Sequence, residues 1–158
     1  MHIYLIGTGP GNPDLLTVQA KEAIEASTLL VGDKRMLEPF VDSGKQLVAT
    51  YRRDEICRLA ASRTDEDGPM AVLVSGDVGF FSLAALLKNI PDCTVTRIAG
   101  ISSLVYFAAA LETSWNDVFI VSRHGRQEPL IPAVRQHAKV FVLTGGRESP
   151  AALCRSLC

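Results

Sequence analysis

Three short glycine-bearing segments, each placed directly after an apolar run, constrain this chain more than any other feature. They are Gly7-Thr8-Gly9-Pro10-Gly11, Ser75-Gly76-Asp77-Val78-Gly79-Phe80-Phe81 and Ala99-Gly100-Ile101-Ser102-Ser103. Each falls where a strand pattern gives way to a helix pattern. Strand, glycine turn and helix in repeated succession build an open α/β sheet, and ligands of such sheets bind outside the carboxyl ends of the strands. Three loops of this kind can line one crevice, which predicts a small-molecule site and an enzyme.

Apolar runs at 2–6, 28–31, 46–49, 70–74, 93–98, 117–121 and 139–143 predict strands, with helices between them. Asn12 offers a helix cap and Pro13 a first helical position, where a missing N–H costs nothing. Met70-Ala71-Val72-Leu73-Val74 has no polar alternation and predicts a parallel strand buried on both faces. A βαβα order over residues 1–112 predicts a first domain with a mostly parallel sheet. Thr113-Ser114-Trp115-Asn116 interrupts the pattern and predicts a boundary. Residues 113–158 then supply two strands and two helices, too few for a self-standing core. The second α/β domain is therefore expected to be incomplete.

Bulk properties narrow the function classes. A formal net charge of −1 over 158 residues carries no general signature of a nucleic-acid partner. No apolar run approaches the roughly 18 residues that cross a bilayer, and Met1-His2 leads straight into a strand, so neither membrane nor signal peptide is expected. Cys57, Cys93, Cys154 and Cys158 are unpaired by spacing, which suits a reduced, cytoplasmic setting. Cys154 and Cys158 lie one helical turn apart, but no further ligands stand near them in sequence, so no metal site is expected. Cys57 and Cys93 read as small buried apolar groups.

The individual loops exclude several chemistries. A dinucleotide fingerprint needs a glycine where this chain has Asn12, and Pro10 removes a phosphate-cradling N–H, although Asp33 would suit a ribose hydroxyl. No phosphate-binding lysine loop is present. Leu73 stands where a serine nucleophile elbow needs glycine, and no histidine is placed for Ser75. Asp77 suits either a ligand's hydroxyl or amino groups or a helix cap, and one of Ser102 and Ser103 suits an N-cap while the other is available to a polar ligand. Phe80, Phe81, Tyr106 and Phe107 could stack on a flat macrocycle, but their helical spacing assigns most of them to the core.

Taken together, the Gly7–Gly11 loop with Leu15-Leu16-Thr17 after it, the Ser75-Gly76-Asp77 loop and the Gly100–Ser103 loop resemble the tetrapyrrole methylase family. Leu73 to Ser82, Trp115-Asn116-Asp117, Val121-Ser122-Arg123-His124-Gly125-Arg126 and Ser149-Pro150-Ala151 are similar, within it, to the C-5 methyltransferase branch of the cobalamin pathway. The chain departs from the family at Val78 and Ala99, where proline is usual, and in length, since members continue for several more elements. The resemblance implies two α/β domains, usually in a homodimer, with S-adenosylmethionine bound between them. It also implies a fused or separate C-15 methyltransferase/decarboxylase partner.

On that resemblance, Gly9, Pro10, Ser75, Gly76, Asp77, Ser102, Ser103 and Thr144 are the expected cofactor residues. The substrate would be an anionic reduced tetrapyrrole, a precorrin methylated at C-5. Arginine is the side chain best suited to its carboxylates, which makes Arg123 and Arg126 the substrate candidates, with Arg52 and Arg53 as weaker ones. His124 is the candidate base. Another ring position within the family, a non-catalytic cofactor-binding module and a nucleotide-dependent oxidoreductase are the rival readings.

Overall fold

The computed structural model describes residues 1–87, 90–124, 128–145 and 149–157, leaving aside the side chains of residues 86 and 156. The chain divides into two compact units, Met1–Tyr106 and Phe107–Cys158. The division falls inside a helix, several residues before the boundary that the Thr113–Asn116 interruption predicts.

The first unit holds strands β1 (His2–Gly7), β2 (Leu29–Gly32), β3 (Gln46–Ala49), β4 (Met70–Val74) and β5 (Thr94–Ile98). They form one sheet in the order β3-β2-β4-β1-β5, with every neighbouring pair parallel. The helices of this unit are α1 (Val18–Ala26), α2 (Lys34–Leu37), α3 (Arg53–Ala61) and the start of α4 (Ser103–Ala110). All five residues of β4 are buried, as the unbroken apolar run requires of a central parallel strand.

Side chains alternate between the two sheet faces and build two cores. Ile3, Leu5, Met70, Val72 and Val74 pack with Ile56 and Ala60 of α3 and with Ala84 and Leu87. Ile6, Leu30, Ala71, Leu73 and Ile98 pack with Ala20, Ala23 and Ile24 of α1 and Leu37 of α2. Helical layers thus cover both faces, which is the doubly wound arrangement.

Strand order also fixes where a ligand can enter. From β1 the chain passes to β2 beyond β4, and from β4 it passes to β5 beyond β1. Two adjacent strands therefore send their outgoing loops in opposite directions, which opens a crevice at their carboxyl ends. The Gly7–Gly11 and Ser75–Gly79 loops leave from that point.

Several local expectations change. Pro13–Leu15 forms one 3₁₀ turn, with the Asp14 N–H donating to Asn12 Oδ1 (2.9 Å). Helix α1 starts only at Val18, because Thr17 Oγ1 accepts from the Ala20 N–H (3.1 Å) and caps it. Leu83–Leu87 is likewise a 3₁₀ turn rather than an α-helix.

The second unit has strands β6 (Phe119–Ser122) and β7 (Val140–Leu143), paired in parallel, with α5 (Leu130–Gln136) and α6 (Pro150–Leu157). Among its described residues only Ala108, Val121, Ser122, Leu130, Ala133 and Leu153 are buried. All four residues of β7 are half-buried.

Candidate functional site

The three glycine loops of the first unit meet in one junction. The Thr8 N–H donates to Val74 O (2.8 Å), and Gly9 and Gly76 exchange backbone hydrogen bonds of 3.1 and 2.9 Å. This pair forms an isolated antiparallel bridge that staples the loop after β1 to the loop after β4. A Cβ on Gly7 would stand 2.6 Å from Gly76 O and 2.7 Å from Gly100 N, and one on Gly100 would overlap Gly76 O. Gly7 and Gly100 are glycine because three backbones touch there, whereas Gly9 and Gly76 are glycine because each has φ near +70°.

Asp77 completes the junction. Its Oδ1 accepts from the Gly79 N–H (2.8 Å), and its Oδ2 accepts from the Gly100 N–H (3.1 Å). The carboxylate thus braces its own loop and ties it to the loop after β5. Each oxygen retains a second lone pair, so the carboxylate keeps the capacity to accept from a ligand as well. The helix-capping role open to Asp77 in the sequence is absent, since no α-helix follows it directly.

Around this junction the other candidates divide into spent and unspent groups. Ser102 is buried and its Oγ accepts from the Val105 N–H (3.3 Å), so it is the serine that caps α4. Ser103 is exposed as the first residue of that helix, and its hydroxyl has no partner among the described residues. Ser75 is exposed beside Gly76, and its hydroxyl too has no partner among the described residues. A Cβ on Gly76 would meet nothing within 4 Å, so one side of that backbone faces open space. Pro10 is exposed at the tip of the first loop. Asp33, by contrast, is committed to α2, its Oδ1 accepting from the Arg35 N–H (3.0 Å).

Within the second unit, Arg123, His124 and Thr144 stand at the carboxyl ends of the paired strands. The Arg123 N–H donates to Leu143 O (2.8 Å), which extends the ladder past β6. Glu128 returns onto this edge. Its Oε2 accepts from the Ser122 N–H (2.6 Å), and its backbone carbonyl accepts from Arg123 Nη1 (3.0 Å). The exposed His124 ring lies so close to Gly145 that a Cβ there would overlap Nδ1. Gly125, Arg126 and Cys158 lie outside the described residues.

The weaker arginine candidates sit elsewhere. Arg52 forms an exposed ion pair with Asp54 (3.0 Å) at the start of α3, a place where such a pair contributes little. The aromatic expectation is corrected: Phe81, Tyr106 and Phe107 are 37%, 47% and 54% exposed rather than core. Helical spacing misleads there because 83–87 is a 3₁₀ turn and because α4 is apolar on every side and cannot bury them all. Cys57 and Cys93 are half-buried beside the first core rather than fully enclosed.

Two roles escape the sequence. Glu128 as a brace for Arg123 has no motif, and the only hint is an acid six positions after a strand's end. The packing role of Gly7 and Gly100 is also invisible locally, since the contacts join positions far apart in the chain.

This arrangement has close counterparts. The family description Tetrapyrrole (Corrin/Porphyrin) Methylases matches residues 2–158. A protein of Methanocaldococcus jannaschii named probable cobalt-precorrin-7 C(5)-methyltransferase is 33% identical over 156 residues, spanning 94% of this chain and 74% of that protein. The cobalt-precorrin-7 C(5)-methyltransferase of Salmonella typhimurium is 31% identical, spanning 98% and 77%. The crystal structure of the cobalamin biosynthesis precorrin-6Y methylase (cbiE) from Archaeoglobus fulgidus shares the fold, with a TM-score of 0.66, 24% identity and coverage of 89% and 71%. With a glycine junction at the switch point of a doubly wound sheet and a family match along nearly its whole length, the chain belongs to the tetrapyrrole methylases.

Proposed function

We propose that this chain catalyses S-adenosylmethionine-dependent methylation of a precorrin-type tetrapyrrole at C-5, a step of cobalamin biosynthesis. The observation that carries this reading is similarity at more than 30% identity, over at least 94% of the chain, to two proteins named for that reaction. The open backbone of Gly76, beside the hydroxyls of Ser75 and Ser103 that have no partner among the described residues, fits a small polar ligand at the strand ends.

When bound, S-adenosylmethionine supplies a methyl group on a sulfonium that already carries its leaving group. The protein's task is then alignment, which can contribute about 7–11 kcal/mol to lowering a barrier of this kind. In this reading Gly9, Pro10, Ser75 and Gly76 border the cofactor, while Asp77 and Ser102 set the shape of its loops. Ser103 and Thr144 offer hydroxyls, and Arg123 and Arg126 hold carboxylates of the macrocycle. His124 accepts the proton that the methylated carbon framework gives up. A pair of copies in solution, a cytoplasmic setting and work alongside a C-15 methyltransferase/decarboxylase partner belong to the same proposal. No helix among the described residues is long and apolar enough to cross a membrane.

Calorimetry with S-adenosylhomocysteine tests the reading, with NAD as the control ligand. Saturable binding of the homocysteine product and silence with NAD are the expected result. A folded chain that binds neither, or that binds NAD instead, would overturn it.

A further inference from the structure

The cleft that flanks the glycine junction contains a charge that the site as described does not use. It is narrow, about 30 Å³, room for an edge and not for a whole ligand; its apolar walls come from Leu16, Met36, Pro39 and Phe40, and Gly9 and Ser75 form its loop side. Arg35, at the start of α2 just beyond the carboxyl end of β2, is the one ionisable residue lining it among the described residues. Its guanidinium is exposed and has neither ion pair nor hydrogen bond among the described residues. Arg52, Arg63 and Arg123, in contrast, each donate to a carboxylate, a hydroxyl or a carbonyl. Arg35 also lines an adjoining open groove of about 530 Å³ whose other residues include Leu37, Val41 and Leu47. Glu38 and Lys34 line that groove as a pair of opposite charges, so Arg35 leaves it with a net positive charge.

We propose that Arg35 grips a carboxylate of the tetrapyrrole and so fixes the edge of the macrocycle against the cleft. The chemistry suits such a ligand. An apolar wall suits a flat ring system, and one uncommitted guanidinium offers two parallel N–H donors to a peripheral acetate or propionate. The cofactor also carries one carboxylate, so its own affinity is the readout that separates a tetrapyrrole contact from a cofactor contact. This assignment rests on the function proposed above, adds a residue from the first unit to the substrate contacts, and predicts that Arg35 sorts ligands by acidity rather than by size.

The test uses an octacarboxylic porphyrin as probe, titrated by fluorescence quenching in the presence of saturating S-adenosylhomocysteine. Wild type, Arg35→Ala, Arg35→Lys and the charge-matched control Arg58→Ala are compared, and calorimetry gives each variant's affinity for S-adenosylhomocysteine. Arg35→Ala should weaken the porphyrin about tenfold, as expected for one lost charge-assisted contact, with Arg35→Lys intermediate. Arg58→Ala and all affinities for S-adenosylhomocysteine should stay within about twofold of wild type. Equal porphyrin affinity in Arg35→Ala and wild type would overturn the assignment, as would a parallel loss of S-adenosylhomocysteine. A wild type that binds S-adenosylhomocysteine but no porphyrin overturns it while leaving the cofactor reading intact. Binding of neither ligand removes the function on which it rests.

Discussion

The two units of this chain solve the same packing problem with different means. Met1–Tyr106 has five parallel strands, and its central strand is buried on both faces by separate helical layers. Phe107–Cys158 has two parallel strands whose residues are mostly half-buried or exposed. Parallel pairing needs cover on both faces, and five strands provide a protected interior that two cannot. The first unit can therefore hold a tight backbone junction in place. The second carries chemistry-bearing side chains on a smaller base of buried apolar area.

Cavity-forming substitutions probe that contrast most strongly. Leu5→Ala in β1 should cost about 2–5 kcal/mol in urea denaturation, and Leu130→Ala in α5 less than about half of that. Equal losses would break the comparison. Next in size, Gly100→Ala should cost about 1–3 kcal/mol and weaken S-adenosylhomocysteine, because its Cβ would force the Gly76 backbone aside. A Gly11→Ala control, where nothing lies within 4 Å and only the positive φ opposes a side chain, should cost less. Thermal melts and calorimetry on the same samples decide this pair.

A smaller effect is expected at Asp77. Asp77→Asn leaves one acceptor and turns the other position into a donor facing the Gly100 N–H. Weakening of S-adenosylhomocysteine by about tenfold, with a loss of about 1–3 kcal/mol in stability, should follow from one broken charged hydrogen bond. Amide exchange should accelerate at Gly100, which loses its acceptor, and much less at Gly79, which keeps one. Unchanged exchange at Gly100 would mean that the carboxylate does not tie the two loops.

The smallest effects concern exposed acids, one in each unit. The Thr64 N–H and hydroxyl lower the Asp67 carboxyl below its ordinary value, and the Lys139 ammonium, through its hydrogen bond, lowers that of Asp117. Both contributions are present above the ordinary carboxylate value and fade as pH falls through the depressed folded value. Carbon-13 titration should place both midpoints low, and Lys139→Met should raise only that of Asp117. A shift at both would mean that the units are electrostatically linked.

Local patterns made the strands, the loop sequence and the βαβα order legible. The run at 70–74 has one reading, and three glycine turns in a row leave little choice of architecture. Less legible were features decided by competition or distance. Asn12 caps only the 3₁₀ turn and Thr17 caps α1, which starts five residues after Pro13. The junction of Gly7, Gly76 and Gly100 depends on strand order, which periodicity does not encode. The same holds for Asp77, whose second bond reaches 23 positions along the chain. The exposed aromatics of α4 show that a spacing consistent with burial does not supply a surface to be buried against.

Placing β1 between β4 and β5 has a consequence for the time course of synthesis. Ile3 meets Met70 and Val95, so β1 finds both of its neighbours only after more than sixty further residues have been made. At about 5–20 residues per second, β1 waits several seconds on the ribosome before β4 arrives. During that wait Ile3, Leu5 and Ile6 have no sheet to join. The chain therefore carries β1 without either neighbour until β4 has been made, and the sheet order sets a lower limit on how soon the glycine junction can exist.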